Sequence, residues 1–201
     1  SRIDKGPVVR RASPMQEETI MKHILTALLA TIAIAFSAQA EEALSLTPQQ
    51  TYDMVQEQGD QLLFVDVRDP VEIMFIGFTD VVDKNIPFKL ADRSTFLDDK
   101  GRFAMNTNPE FASQVEKALK EKGLTRDDLV ITMCRSGSSR GKPSAEYLLE
   151  RGFTNVKYID HGFQGSGAKE GKKKGMRIVN GWQNDGLPWS MTLNADKIYR
   201  P

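Results

Sequence analysis

The run Leu129-Val130-Ile131-Thr132-Met133 has no alternating polar face, and it ends on the chain's single cysteine, Cys134. A strand apolar on both sides is buried on both sides, as in a parallel sheet covered by helices. Residues 62–67, Leu-Leu-Phe-Val-Asp-Val, read as a second buried strand, and residues 155–159 as a third. Helical signals separate them. Thr47 can cap a helix that has Pro48 in its first position, with Tyr52, Val55 and Leu62 marking an apolar side. Asp69-Pro70-Val71-Glu72 opens a short helix. Phe111, Val115 and Leu119 recur every four residues in a helix over 108–123 that Gly123 ends, and residues 143–151 read as a helix stopped by Gly152. Short extended pieces are expected at Val81-Val82 and Ile86-Pro87-Phe88, and a loop over residues 165–175. The alternation predicts an α/β domain with a central, mainly parallel sheet flanked by helices.

The N-terminal region follows a different logic. Met21-Lys22-His23 is a short, weakly basic start, residues 24–36 are apolar or small, and Ser37-Ala38-Gln39-Ala40 follows. This is the layout of a secretory signal peptide cleaved near Ala40/Glu41. A membrane span takes about 20 apolar residues, and this stretch is shorter; a retained anchor is the competing reading. Residues 1–20 read as upstream translated sequence or an expression remnant outside the fold, or as a longer leader starting at Met15. The expected organisation is an upstream segment 1–20, a signal peptide 21–40, and one domain 41–201 with a C-terminal extension from about residue 165. The protein would then be periplasmic or secreted, with no stable membrane insertion after cleavage.

The full chain of 201 residues carries 27 basic and 27 acidic side chains. Five of those bases and three of those acids lie in residues 1–40, so residues 41–201 have two more acids than bases. That balance implies no nucleic-acid partner. The three lysines Lys172, Lys173 and Lys174 read as a solvated loop. One cysteine and two histidines, His23 and His161, cannot build a zinc site, and no glycine pattern matches a nucleotide loop. No metal and no cofactor is expected. Trp182 and Trp189 read as packing anchors for the C-terminus.

A lone thiol in an exported protein is a liability unless it is used or buried. The residues after Cys134 favour use. Arg135, Ser136, Gly137, Ser138, Ser139 and Arg140 lie between the buried strand and the next helix. Ligands of α/β sheets bind at the carboxyl ends of strands. Small residues let backbone N–H groups turn inward around an anion, at the positive end of the following helix. Arg135 and Arg140 add charge, and Arg140 can hold an oxyanion through two parallel hydrogen bonds. Helix N-termini and cations also favour a thiolate, so one loop would both activate the nucleophile and hold its anionic substrate.

Three blocks of the sequence resemble single-domain rhodanese-like proteins. They are residues 64–72 (Phe-Val-Asp-Val-Arg-Asp-Pro-Val-Glu), residues 130–137 (Val-Ile-Thr-Met-Cys-Arg-Ser-Gly) and residues 152–162 (Gly-Phe-Thr-Asn-Val-Lys-Tyr-Ile-Asp-His-Gly). Residues 179–189 resemble the ending of exported members. The resemblance implies a thiosulfate sulfurtransferase-like enzyme in which Cys134 takes a sulfane sulfur as a persulfide and passes it to cyanide, a small thiol or a protein thiol. It implies that the amides of residues 135–140 cradle persulfide and sulfonate. Asp66 and Arg68 match the family's Asp-x-Arg, and their implied role is a structural ion pair.

The chain departs from the family in two places. Ile76-Gly77-Phe78-Thr79 lacks the Gly-His pair of many members, and Asp160-His161-Gly162 stands where many have Asp-Gly-Gly, which brings His161 into question near the site. The loop is one residue longer than usual. Five residues separate Cys134 from Arg140, the Cys-x5-Arg spacing of cysteine phosphatases, some of which share this fold. A phosphatase or arsenate-type oxyanion enzyme is therefore an alternative, with Asp69, Glu72 and Asp160 as candidate acids, although Met133 and Gly141 depart from the phosphatase pattern. A non-enzymatic sulfur carrier or binding module is the other.

Overall fold

A computed structural model describes residues 44–201 and residue 23 of the chain. The signal-peptide and upstream segments expected over residues 1–40 lie, His23 apart, outside the described residues. Among the described residues no helix is long and apolar enough to cross a membrane.

The elements run β1 (Ser45–Leu46), α1 (Pro48–Gln58), β2 (Leu62–Asp66), α2 (Pro70–Ile76), β3 (Lys84–Asn85), β4 (Lys89–Leu97), β5 (Arg102–Thr107), α3 (Phe111–Glu121), β6 (Leu129–Met133), α4 (Gly141–Leu149) and β7 (Val156–Ile159). A five-stranded sheet has the order β1-β7-β6-β2-β3, and each pairing in it is parallel. β4 and β5 form a separate antiparallel hairpin.

The apolar runs bury both faces of the sheet. Leu63 and Val65 of β2 join Val130, Val156 and Tyr158 in a core with Phe111, Val115 and Leu119 of α3 and Leu148 of α4. The alternate residues Leu62 and Phe64 join Ile131, Met133 and Ile159 in a second core with Ile73 of α2 and, from α1, the partly buried Tyr52 and Val55. Side chains of successive strand residues point to opposite faces, so an uninterrupted apolar run fills both cores. Thr47 caps α1 in a full capping box with Gln50, worth about 1 kcal/mol.

The C-terminal segment completes the second core. Trp182 is fully buried, its rings 5.9 Å from Tyr52 and 5.5 Å from Phe64, and its indole N–H donates to the Pro188 carbonyl at 2.9 Å. Phe78 and Ser190 exchange two backbone hydrogen bonds of 2.8 Å. The exposed Trp189 ring packs edge-on against Phe163. Both tryptophans anchor the tail, as expected.

Three local expectations change. Val81-Val82 lie in a turn, and the strand beside them is β3, with Ile86 and Phe88 following it by backbone bonds to Asp66 and Val67. α4 begins at Gly141 rather than Pro143, and residues 108–110 form a turn that leads into α3. The β4–β5 hairpin was not expected. It is mostly exposed, so no burial pattern marks it, yet a Gly101 turn at φ 56° and the Phe96–Phe103 ring pair at 5.5 Å hold it together.

Candidate active site

Cys134 is the first residue after β6, and α4 starts seven residues later, so the intervening loop turns at the carboxyl edge of the sheet. Its thiol is fully buried. A Cβ placed on Gly141 would stand 3.5 Å from Cys134 Sγ, so the sulfur rests against the first turn of α4. Reaction at this sulfur therefore requires the residues over it to part.

The loop is suspended by its carbonyls. Phe163 N–H donates to the Cys134 carbonyl at 2.8 Å, and Gln164 and Gly165 N–H both donate to the Arg135 carbonyl at 2.8 and 3.1 Å. Lys142 N–H donates to the Gly137 carbonyl at 2.9 Å. By contrast, the amides of residues 135–141 donate to no acceptor among the described residues. Ser138 and Ser139 are exposed to solvent, and the open N–H groups of the buried and half-buried Arg135, Ser136, Gly137, Arg140 and Gly141 are what an anion satisfies. The Gly141 carbonyl accepts the Thr132 and Ser144 hydroxyls at 3.2 and 2.8 Å, which fixes the start of α4 to β6.

Two glycines make the loop possible. Gly162 has φ +55°, and a Cβ there would stand 2.2 Å from the Cys134 carbonyl oxygen. Gly137 has φ +81°, and its Cβ would stand 2.9 Å from the His161 nitrogen and the Ile159 oxygen. Backbone packs directly on backbone, so the turn after β7 is the platform of the loop.

Arg140 does not point freely into a cradle. Its Nη1 and Nη2 donate to the two carboxylate oxygens of Glu72 at 2.6 and 2.9 Å. Burial opposes the charge on Arg140, but the Glu72 hydrogen bond and charge, aided by Cys134, outweigh it and hold the guanidinium pKa above its ordinary value. Arg135 donates through Nε to Gln164 at 2.8 Å. Its pKa is lowered, first by burial and then by the nearby Arg177 charge. Ser136 and Ser138 bring their hydroxyls within 3.3 Å of each other, while Ser139 is exposed at the rim.

The other candidates have local duties. Arg68 clamps Asp66 through Nε and Nη2, the shortest contact being 2.6 Å, with both side chains at 0% exposure, and Nη2 also reaches the Gly77 carbonyl. Its guanidinium stacks over Phe163 at 4.0 Å. This is a structural pair tying the end of β2 to the turn after α2. Of the three candidate acids, Asp69 accepts the amides of Val71 and Ala91, Glu72 is engaged by Arg140, and Asp160 accepts the amide of His161. His161 supplies its backbone to the platform under Gly137, and its ring faces Asp160 at 3.4 Å.

Sequence reasoning missed the wall opposite the loop. Between the loop, α2 and the β4–β5 hairpin lies a cleft of about 480 Å³ lined by Glu72, Arg135, Ser139 and Arg140 on one side and Lys89, Leu97, Arg102, Ala104 and Met105 on the other. Four cations face it against one carboxylate. The Asp-Asp-Lys-Gly turn between Leu97 and Arg102 is the sequence signal that could have located this wall.

Solved structures are similar to this chain in fold. Rv0390 of M. tuberculosis superposes with a TM-score of 0.52 at 26% identity, covering 74% of this chain and 97% of that one. A rhodanese-related protein from Thermoplasma volcanium gives 0.40 at 19% identity, covering 74% and 98%. The polysulfide-sulfur transferase homodimer of Wolinella succinogenes gives 0.39 at 22% identity, covering 80% and 90%. No curated protein matches the chain. The family model of the rhodanese-like domain matches residues 47–169, from the cap of α1 past the platform of the cysteine loop, and the chain belongs to that family.

Proposed function

We propose that the protein is a sulfurtransferase that carries a sulfane sulfur on Cys134. The observation that carries this reading is the loop itself, in which the amides of residues 135–141 have no protein acceptor among the described residues and the thiol is seated on the first turn of α4. The Cys134 thiolate attacks the outer sulfur of thiosulfate or a related donor. The bond from that sulfur to the sulfonate breaks, and its electron pair leaves with sulfite. The persulfide anion then rests among the loop amides. An acceptor, cyanide or a thiolate, attacks the outer sulfur of the persulfide, and the Cys134 thiolate is restored. No proton donor is needed in either step, which suits a site whose nearby carboxylates are all engaged. Phosphate-ester hydrolysis would need an acid for its leaving group and an Arg140 fork open to a tetrahedral anion. The Glu72 pair occupies that fork.

Purified protein should form thiocyanate from thiosulfate and cyanide. Steady hydrolysis of an aryl phosphate without any thiocyanate would replace this reading with the oxyanion one.

We also propose that the enzyme works outside the cytoplasm, after removal of a leader over residues 21–40. The apolar run 24–36 followed by Ala38-Gln39-Ala40 supports it. Sequencing the N-terminus of protein recovered from the periplasmic or secreted fraction should begin at Glu41. Recovery of the intact leader on membrane-bound protein would refute the cleavage.

A further inference from the structure

Arg135 also lines a second cleft, of about 710 Å³, on the flank that faces the C-terminal extension. Its other lining residues include Met176, Arg177, Ile178 and Trp189. The backbone between the two arginines brings them together. Arg135 donates through Nε to the Gln164 side chain at 2.8 Å, and Arg177 Nη1 donates to the carbonyl of the next residue, Gly165. The N–H groups of Gln164 and Gly165 in turn both donate to the Arg135 carbonyl. A narrow ribbon carries Arg177 back to this point: it bridges to Gly167, and Ala168 N–H donates to the Met176 carbonyl at 2.9 Å. Accordingly, the Arg177 charge comes directly after burial among the causes that lower the Arg135 pKa. Like charges held this close repel, and an anion between them relieves the repulsion. No carboxylate lines the cleft, and neither arginine pairs with one among the described residues. Glu72, the acid that acts on Arg135 through space, has both oxygens engaged by Arg140. The Nη groups of Arg135 and the Nε and Nη2 of Arg177 have no hydrogen-bond acceptor among the described residues. In the same cleft Met176, Ile178 and Trp189 are exposed apolar side chains.

We infer that Arg135 and Arg177 form a binding site for an organic anion, whose carboxylate or phosphate lies between the two guanidiniums and whose apolar body covers Met176, Ile178 and Trp189. Arginine suits this role because its planar fork meets such oxyanions through paired N–H groups. The cleft has room for an organic molecule and not only for a bare inorganic ion. The site is independent of what Cys134 carries.

Calorimetric titration of the full chain with phenylacetate and phenyl phosphate tests the site. Inorganic sulfate controls for the charge alone, and 2-phenylethanol for the apolar body alone. At least one aromatic anion should bind wild type more tightly than both controls, and the tighter of the two names the group recognised. Arg177→Gln should weaken that binding by about tenfold, as expected for loss of a charge-assisted contact. Lys173→Gln, at an exposed position on the same ribbon, removes one charge outside the arginine pair and should leave the binding unchanged. Ile178→Ser, also exposed, serves should circular dichroism show Arg177→Gln to be unfolded: it should weaken the aromatic anion and leave sulfate as it was. An equal loss in Lys173→Gln and Arg177→Gln would reduce the site to the diffuse charge of the lysine loop and overturn it. So would binding of 2-phenylethanol as tight as that of the anions, or the absence of saturable binding of both anions at millimolar concentration.

Discussion

Replacing Cys134 with serine should abolish thiocyanate formation, by on the order of 10³-fold or more, because removal of a covalent nucleophile leaves only the binding terms. No second thiol can take over, since the chain has one cysteine. A serine hydroxyl would occupy nearly the same volume against Gly141, and it cannot form a persulfide. The folded state should survive, with a stability change of about 1 kcal/mol, so circular dichroism and Tm separate lost chemistry from lost structure. Mass spectrometry of wild type after thiosulfate treatment should find one added sulfur on the peptide containing Cys134, and none on the variant. Added sulfur without thiocyanate would make the protein a carrier and not a cyanide-reactive enzyme. Activity above about a tenth of wild type in the variant would mean that sulfur never passes through the residue, since covalent catalysis tolerates no such remainder.

The parts of this site that the sequence makes legible are those governed by neighbours in the chain. β2 and β6 announce themselves because both of their faces are buried, so each position must be apolar or satisfied. The cysteine's place at the carboxyl end of β6 follows from the same run. The Asp66–Arg68 pair is legible through the resemblance, because it matches the family's Asp-x-Arg. The parts that escaped depend on distant segments. Glu72 reads as a free acid in its own stretch, and only the fold brings it to Arg140 across 68 positions. That meeting changes the meaning of the Cys-x5-Arg spacing, because a spacing cannot tell whether an arginine faces the cradle or a carboxylate. The hairpin was hidden for the opposite reason. Its residues are half-exposed or exposed, and an element that buries little leaves no period to read. The tail is punctuated by glycines, asparagines and a proline, and its tryptophans are what the sequence makes legible there. Trp182 fills the core under β2, and aromatic burial of that size outweighs the irregular backbone around it.

Gly162→Ala should cost the protein both stability and activity, and the comparison with Gly171→Ala shows why. Both glycines have positive φ, +55° and +74°. An alanine in that region costs about 1 kcal/mol from backbone strain alone. Nothing lies within 4 Å of a Cβ at Gly171, so that variant should show the strain cost and little else. At Gly162 the Cβ would stand 2.2 Å from the Cys134 carbonyl oxygen and 2.9 Å from the Arg135 carbonyl carbon and the Gly137 nitrogen. These atoms are backbone, so no side chain can swing away, and relief requires the whole loop to lift from its platform. Lifting it stretches the hydrogen bond from Phe163 N–H to the Cys134 carbonyl and those from Gln164 and Gly165 to Arg135. Clash and strain together should lower stability by roughly 3 kcal/mol or more. The loop that carries Cys134 and the open amides would lose its shape in any molecules that remain folded. Denaturant unfolding of the two variants, with thiocyanate formation measured well below their midpoints, gives both readings. If Gly162→Ala unfolds no more readily than Gly171→Ala and keeps wild-type turnover, the turn after β7 is not what holds the cysteine loop in shape.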